Sequence, residues 1–167
     1  MKLKTLASIA GAAAFGLGAI ASWAPPSQAQ MATYFCDKAR DGVYATFARN
    51  GAGKEIEIIR WEKEWGDGTL TKQKRCEIVS ERFQRASKAG VLQHVTHGVQ
   101  NGQPVICAAQ QYGGPCGPVL LTLRQEDNAR EVLNQLLGIG NRAAGPLIQA
   151  DDGQPQLYID MKKVLGQ

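Results

Sequence analysis

TKQKRCEIVSERFQRASKAG, residues 71–90, runs directly into VLQHVTHGVQNGQPVICAA, residues 91–109, and the change of period between them decides the fold. Cys76, Val79, Phe83 and Ala86 recur three, four and three residues apart, which puts them on one face of a helix from Lys72 to about Ala89. Thr71 suits the N-cap, because its hydroxyl can take up a free amide of the first turn, and Gly90 stops the helix. The pattern then shortens. Val91, Val95 and Val99 alternate with Leu92, His94 and Thr96 as in a strand, and Asn101-Gly102 is a strong two-residue hairpin signal. Pro104 to Ala109 is the return strand, apolar on both faces and therefore central.

Working outward, Val43 to Ala48 and Lys54 to Trp61 read as two further strands joined by the turn residues Asn50-Gly51-Ala52-Gly53. Trp65-Gly66-Asp67-Gly68 ends that run. Beyond the central hairpin, Gln110 to Gly117 is a Gly/Pro loop and Pro118 to Leu123 another apolar strand. Ala129, Val132, Leu133, Leu136 and Leu137 mark a second helix, ended by Gly138 and Gly140, and Asn141 to Pro155 is a loop. Leu157-Tyr158-Ile159 is a short strand before a last turn at Met161 to Leu165, or else the whole tail is helical. Strands and helices are grouped rather than strictly alternating. The expected class is α+β: a single domain, with an antiparallel-rich sheet of about five strands and two main helices packed on it.

The first 29 residues have the make-up of a secretory signal. Met1-Lys2-Leu3-Lys4 is basic, Leu6 to Ala24 is uncharged and mostly apolar, and Ser27-Gln28-Ala29 offers small residues for a cut before Gln30. An uncleaved anchor is the competing reading, since the run approaches spanning length, but its Ala and Gly content partitions weakly into lipid. The expected mature domain is residues 30–167, enough for one core. The formal charge of +4 includes Lys2 and Lys4, leaving about +2. That balance, with no Lys/Arg block, argues against nucleic acid as a partner, and is compatible with a weak attraction to a membrane surface. The expected location is extracytoplasmic: periplasm, thylakoid lumen or secreted.

Cys36, Cys76, Cys107 and Cys116 all lie beyond the leader, where an oxidising compartment makes them braces. Cys107 and Cys116 flank one loop and suit a local bridge, which leaves Cys36 with Cys76. Four cysteines allow three connectivities, and locality favours this one without excluding the others. Loop-closure entropy makes the two bridges worth about 3 and about 4 kcal/mol, the longer loop giving more. Zinc sites pair cysteines at closer spacing, and no papain-type signature surrounds Cys116.

Other residues with chemical potential have plainer readings. His94 and His97 would share a face on a helix, but on a strand they point to opposite faces and do not converge on a metal. Gly51-Ala52-Gly53-Lys54 lacks the spacing and the Ser/Thr of a phosphate loop. Ser80 and Ser87 are the only serines beyond residue 29, and no GxSxG occurs. Trp61-Glu62-Lys63-Glu64-Trp65 could face a sugar, though Trp61 in a strand is more simply core. Asp151-Asp152-Gly153 offers too few oxygens for calcium. The run from Arg75 to Gln84 is the odd element, mixing core and charge densely. Its bland reading is a disulfide-pinned helix with surface ion pairs; its sharper one is a buried Arg or Ser that fixes the helix on the sheet through backbone hydrogen bonds.

The mature portion resembles the cyanobacterial circadian-oscillating-polypeptide (COP) family. The residues that carry the likeness are Phe35-Cys36, Ile59-Arg60-Trp61, the run Arg75-Cys76-Glu77-Ile78-Val79-Ser80-Glu81-Arg82-Phe83, Gly98, Asn101 to Cys107, Cys116 and Leu120 to Leu123. Lys72 stands where a Pro is expected after the capping Thr. The family is named for daily oscillation in abundance and is associated with membranes; the resemblance implies no enzyme activity, no cofactor and no catalytic or metal-binding residue. Trp61, Arg75, Glu77, Ser80, Arg82 and Phe83 are accordingly expected as structural. The leading functional expectation is an exported, disulfide-braced, non-enzymatic domain. A protein- or envelope-binding module, using an exposed edge or the Trp61/Trp65 region, is the alternative. A hydrolase built on Glu62, Glu64 or His94/His97 comes third. Neither the partner nor the oligomeric state is legible.

Overall fold

The structure, a computed structural model, describes residues 31–62, 70–136, 148–149 and 155–166. The expected leader, Lys63 to Trp65, the Asp151-Asp152-Gly153 turn and the glycines after the second helix lie outside the described residues. The chain enters on β1 (Thr33–Lys38), followed by β2 (Tyr44–Arg49) and β3 (Glu55–Arg60). These three pair antiparallel in the order β1-β2-β3, with Cys36 opposite Thr46. Period two is plain in β1: Tyr34 is buried while Thr33 and Asp37 face water. The β2–β3 turn is organised by Asn50, whose Oδ1 accepts from the amides of Ala52 and Lys54.

Helix α1 (Lys72–Lys88) starts as expected. Thr71 caps it, its side chain accepting from the Lys74 amide at 3.2 Å, and Gly90 ends it at φ 73°. Next come β4 (His94–Gln100) and β5 (Gln103–Ala109), with Gln100 opposite Gln103 across the two-residue turn. Asn101 and Gly102 both take positive φ, 53° and 74°, the turn that matches the strands' own twist. Strand β6 (Val119–Thr122) follows, then α2 (Ala129–Leu136), the short pair β7 (Ile148–Gln149) and β8 (Pro155–Gln156), β9 (Ile159–Asp160) and α3 (Met161–Leu165). The second sheet has the order β6-β5-β4-β9, so β5 is interior, and it is buried from Val105 to Ala109 as its apolar run predicts.

The α+β class and single domain stand, but the one sheet of about five strands is corrected to two sheets of three and four antiparallel strands. Alternation shows which strands are half-buried; it does not show which strand pairs with which. Helix α1, lying between β3 and β4 in the chain, carries it from one sheet to the other. Two more corrections follow. Residues 33–38, to which the pattern assigns no element, form β1, and residues within the expected 141–155 loop pair as β7 and β8. The tail takes the strand-then-turn alternative rather than the fully helical one.

Helix α1 packs on β1 and β2 and reaches β6, while α2 meets β3, β4 and β5, so each helix touches both sheets. One apolar core joins them, including Tyr34, Ile59, Trp61, Val79, Phe83, Val95, Ile106, Leu120, Leu133 and Ile159. Among the described residues no helix is long and apolar enough to cross a membrane.

Candidate functional site

The charged run of α1 is where the sequence is densest, and its side chains separate cleanly. Cys76 is joined to Cys36 on β1, closing a loop of sequence separation 40. One turn on, the buried Ser80 hydroxyl meets Thr46 Oγ1 on β2 at 3.0 Å, and Trp61 Nε1 donates to that same oxygen at 3.2 Å. Arg75 is buried with its guanidinium 5.4 Å from the Trp61 ring centre, a cation–π contact. Phe83 is 1% exposed and packs on Tyr34. Gln84 accepts from the Tyr34 amide at 2.7 Å, and Ser87 donates to the Ala32 carbonyl at 3.1 Å. Glu77 faces water and bonds its helix neighbours Gln73 and Lys74. The expected backbone anchorage by Arg or Ser is therefore refined. Ser80 holds the sheet through a side-chain hydroxyl, because Thr46 faces it from mid-strand, whereas Arg82 reaches a backbone oxygen.

Arg82 extends to β6 and donates through Nη1 to the Leu120 carbonyl at 3.3 Å. Strand β6 is an edge of its sheet, so this bond occupies an acceptor that would otherwise stand unpaired there. Beside the bridge lies an open groove of about 430 Å³, walled on the helix side by Arg82, Arg85, Ala86 and Ala89 and on the strand side by Pro118 and Val119. Its lining is largely apolar, and among the described residues its only charged side chains are the two arginines. Arg85 pairs with Glu81 one turn back at 3.3 Å, both being well exposed.

The second disulfide, Cys107–Cys116, staples β5 to the loop before β6. Gly98 on β4 stands against it: a Cβ there would lie 3.2 Å from Cys116 Cβ and Sγ. His94 and His97 part company on β4 as the strand reading predicts. His97 is 1% exposed, and its Nε2 accepts from the Leu157 amide at 3.2 Å. His94 is half-buried against Tyr112 and Tyr158, with Asp160 opposite it on β9. Burial pushes its pKa below the ordinary value, and the Asp160 charge acts in the other direction. Its Nδ1 is buried without a hydrogen-bond partner. No group of three or more metal-ligating side chains converges among the described residues. Trp61 is 3% exposed, which removes it as a contact surface; Trp65 and Glu64 lie outside the described residues. Glu62 is a surface carboxylate that shares Arg60 with Asp41 and Glu57. The Asp41 carboxyl lies below its ordinary pKa, chiefly through the hydrogen bond from Arg60.

A family model described as circadian oscillating protein COP23 matches residues 33–166, which takes in β1 to α3 and both disulfides. The chain belongs to that family. No curated protein and no solved structure matches it. The COP23 match thus supplies kinship, and the roles of individual residues rest on the geometry above.

Sequence reasoning singled out the helix side of this COP23 seam and missed its strand side. Thr46 was read as one more β-branched strand residue, although a hydroxyl on the inward face of an otherwise apolar strand was the available signal. Gln84, Ser87 and the β6 wall of the groove gave no such signal, because their partners lie 38 to 55 residues away in the chain.

Proposed function

We propose that this COP23-family chain is an exported, disulfide-braced domain that works outside the cytoplasm by binding a protein partner, with no reaction or cofactor of its own. The observation that carries the reading is the groove between α1 and β6, whose walls are held at fixed separation by the Arg82–Leu120 bond and the core beneath. Two further features support it. Most residues with nucleophile or base potential are engaged in the fold: four cysteines in disulfides, Ser80 on Thr46, His97 on the Leu157 amide, while His94 is packed between Tyr112 and Tyr158 with its Nδ1 buried. Both disulfides suit an oxidising compartment, in line with the signal-like residues 1–29.

The test has two arms. Intact mass of the protein from its native host, alkylated with and without reductant, is expected to show cleavage before Gln30 and no free thiol until reduction. Retention of residues 1–29 or four free thiols would overturn export. A photo-crosslinking residue at Ala89, in the groove, is expected to give a discrete protein adduct in that host, while one at Glu55, on the far sheet, does not. Identical patterns at both positions would overturn the groove as the contact.

A further inference from the structure

We infer that the α1–β6 groove takes an extended peptide segment of a partner protein that presents a carboxylate beside apolar side chains. This deepens the proposed function and rests on it. The charge argument is local. Among the described residues, Arg82 and Arg85 are the only ionised groups lining the groove. Arg82 donates to the Leu120 carbonyl through Nη1, and a guanidinium carries five N–H donors, more than that bond uses. Arg85 is held only by an exposed pair with Glu81, an interaction worth so little that an incoming carboxylate can displace or share it. Between the arginines and β6, Ala86, Ala89, Pro118 and Val119 form a trough suited to aliphatic side chains.

Shape separates the candidate occupants. The volume, about 430 Å³, is within the roughly 300–1,000 Å³ of small-ligand pockets. However, Arg85, Ala89 and Pro118 on its rim are exposed, so a small molecule would be covered on one side only. A chain segment running along the trough loses nothing by being open on its outer side. The Arg82 bond closes the β6 edge at Leu120, so the segment is held by side chains and does not add as a strand across that position. A bilayer is the poorer fit. The groove is concave, with the buried Ala86 on its wall, so a flat membrane surface would meet its exposed rim at Arg85, Ala89 and Pro118 and leave the trough unfilled.

The test uses the oxidised domain from residue 30 onward and a display library of short random peptides. The expected pool is enriched in Asp or Glu next to Val, Ile or Leu. A synthetic peptide of the consensus should lose about three- to tenfold in affinity to Arg85→Gln, the size of one charge contact. It should lose binding altogether to Ala89→Glu, which puts a carboxylate in the trough. Thermal unfolding of both variants shows whether they remain folded, and Arg85→Lys is expected to restore most of the binding. A consensus without acidic residues, still lost in Ala89→Glu, would overturn the acidic specificity and leave the groove as a protein-binding site. A consensus indifferent to both substitutions would overturn the groove assignment while the protein still binds peptides elsewhere. No enrichment, together with Arg85-dependent binding to vesicles of phosphatidylcholine and phosphatidylglycerol in equal parts, would make the occupant a membrane and overturn the inference.

Discussion

Thr46 Oγ1 is where α1, β2 and the residue after β3 meet, since it is hydrogen-bonded to Ser80 and to Trp61 Nε1 with no water-exposed surface of its own. Removing one donor differs physically from removing the shared oxygen. Ser80→Ala leaves Thr46 with its Trp61 bond and is expected to cost about 1 kcal/mol, whereas Thr46→Val strands two buried donors and should cost about 2–4 kcal/mol. Urea unfolding with an unchanged denaturant slope checks both, and equal costs would show that the oxygen is not shared. His94 gives the residue scale a pH dependence. Its folded pKa lies below the unfolded value of 6.5 because burial disfavours the cation. As pH falls through 6.5 the unfolded state takes the proton first, so stability declines until the lower folded pKa is passed and then levels off. His94→Gln should therefore flatten the fall in unfolding midpoint between pH 7.5 and 5.5; an unaltered slope would place the titration elsewhere.

At the scale of elements, what the sequence showed and what it hid divide along range. The helix cap at Thr71, the stop at Gly90 and the Asn101-Gly102 turn are local chemistry, and each has the predicted geometry. The disulfide pairing followed from locality as well, with Cys107 and Cys116 on either side of one loop. The division into two sheets was not legible, because β2–β3 and β4–β5 are equally good hairpins whether or not they share a sheet. β1 escaped notice because its inward side, Tyr34 and Cys36, is balanced by Asp37 and Lys38 at its end. The two bridges also differ as elements. Replacing Cys36 and Cys76 by serine removes the covalent tie between β1 and α1 and should cost about 4 kcal/mol, and the same change at Cys107 and Cys116 about 3 kcal/mol. Calorimetry of the two double variants should show the lower transition temperature for the first; the reverse order would mean that loop length does not govern here.

For the whole molecule, the tail closes the structure. The Leu157 amide caps His97 Nε2, its carbonyl takes the Thr96 hydroxyl, β9 completes the edge of β4, and the Leu165 carbonyl accepts from Asn50 in the first sheet's turn, 115 residues away. Ending the chain after Gln156 would also remove Leu157, Ile159, Met161, Val164 and Leu165 from the core. The shortened protein is expected to lose its cooperative thermal transition, and a transition within a few degrees of the full chain would show the tail to be dispensable. That same closure sets an order of events. A ribosome releases Asn50 long before Leu165, so a chain emerging amino end first holds its first sheet without the Asn50–Leu165 bond until α3 is out. Contacts of such long span are slow to form, whereas the β1-β2-β3 and β4-β5 hairpins pair locally and need not wait for them. Both sheets then lock together when α3 arrives, so the finished core dates from late in the chain's emergence and not from the completion of either hairpin.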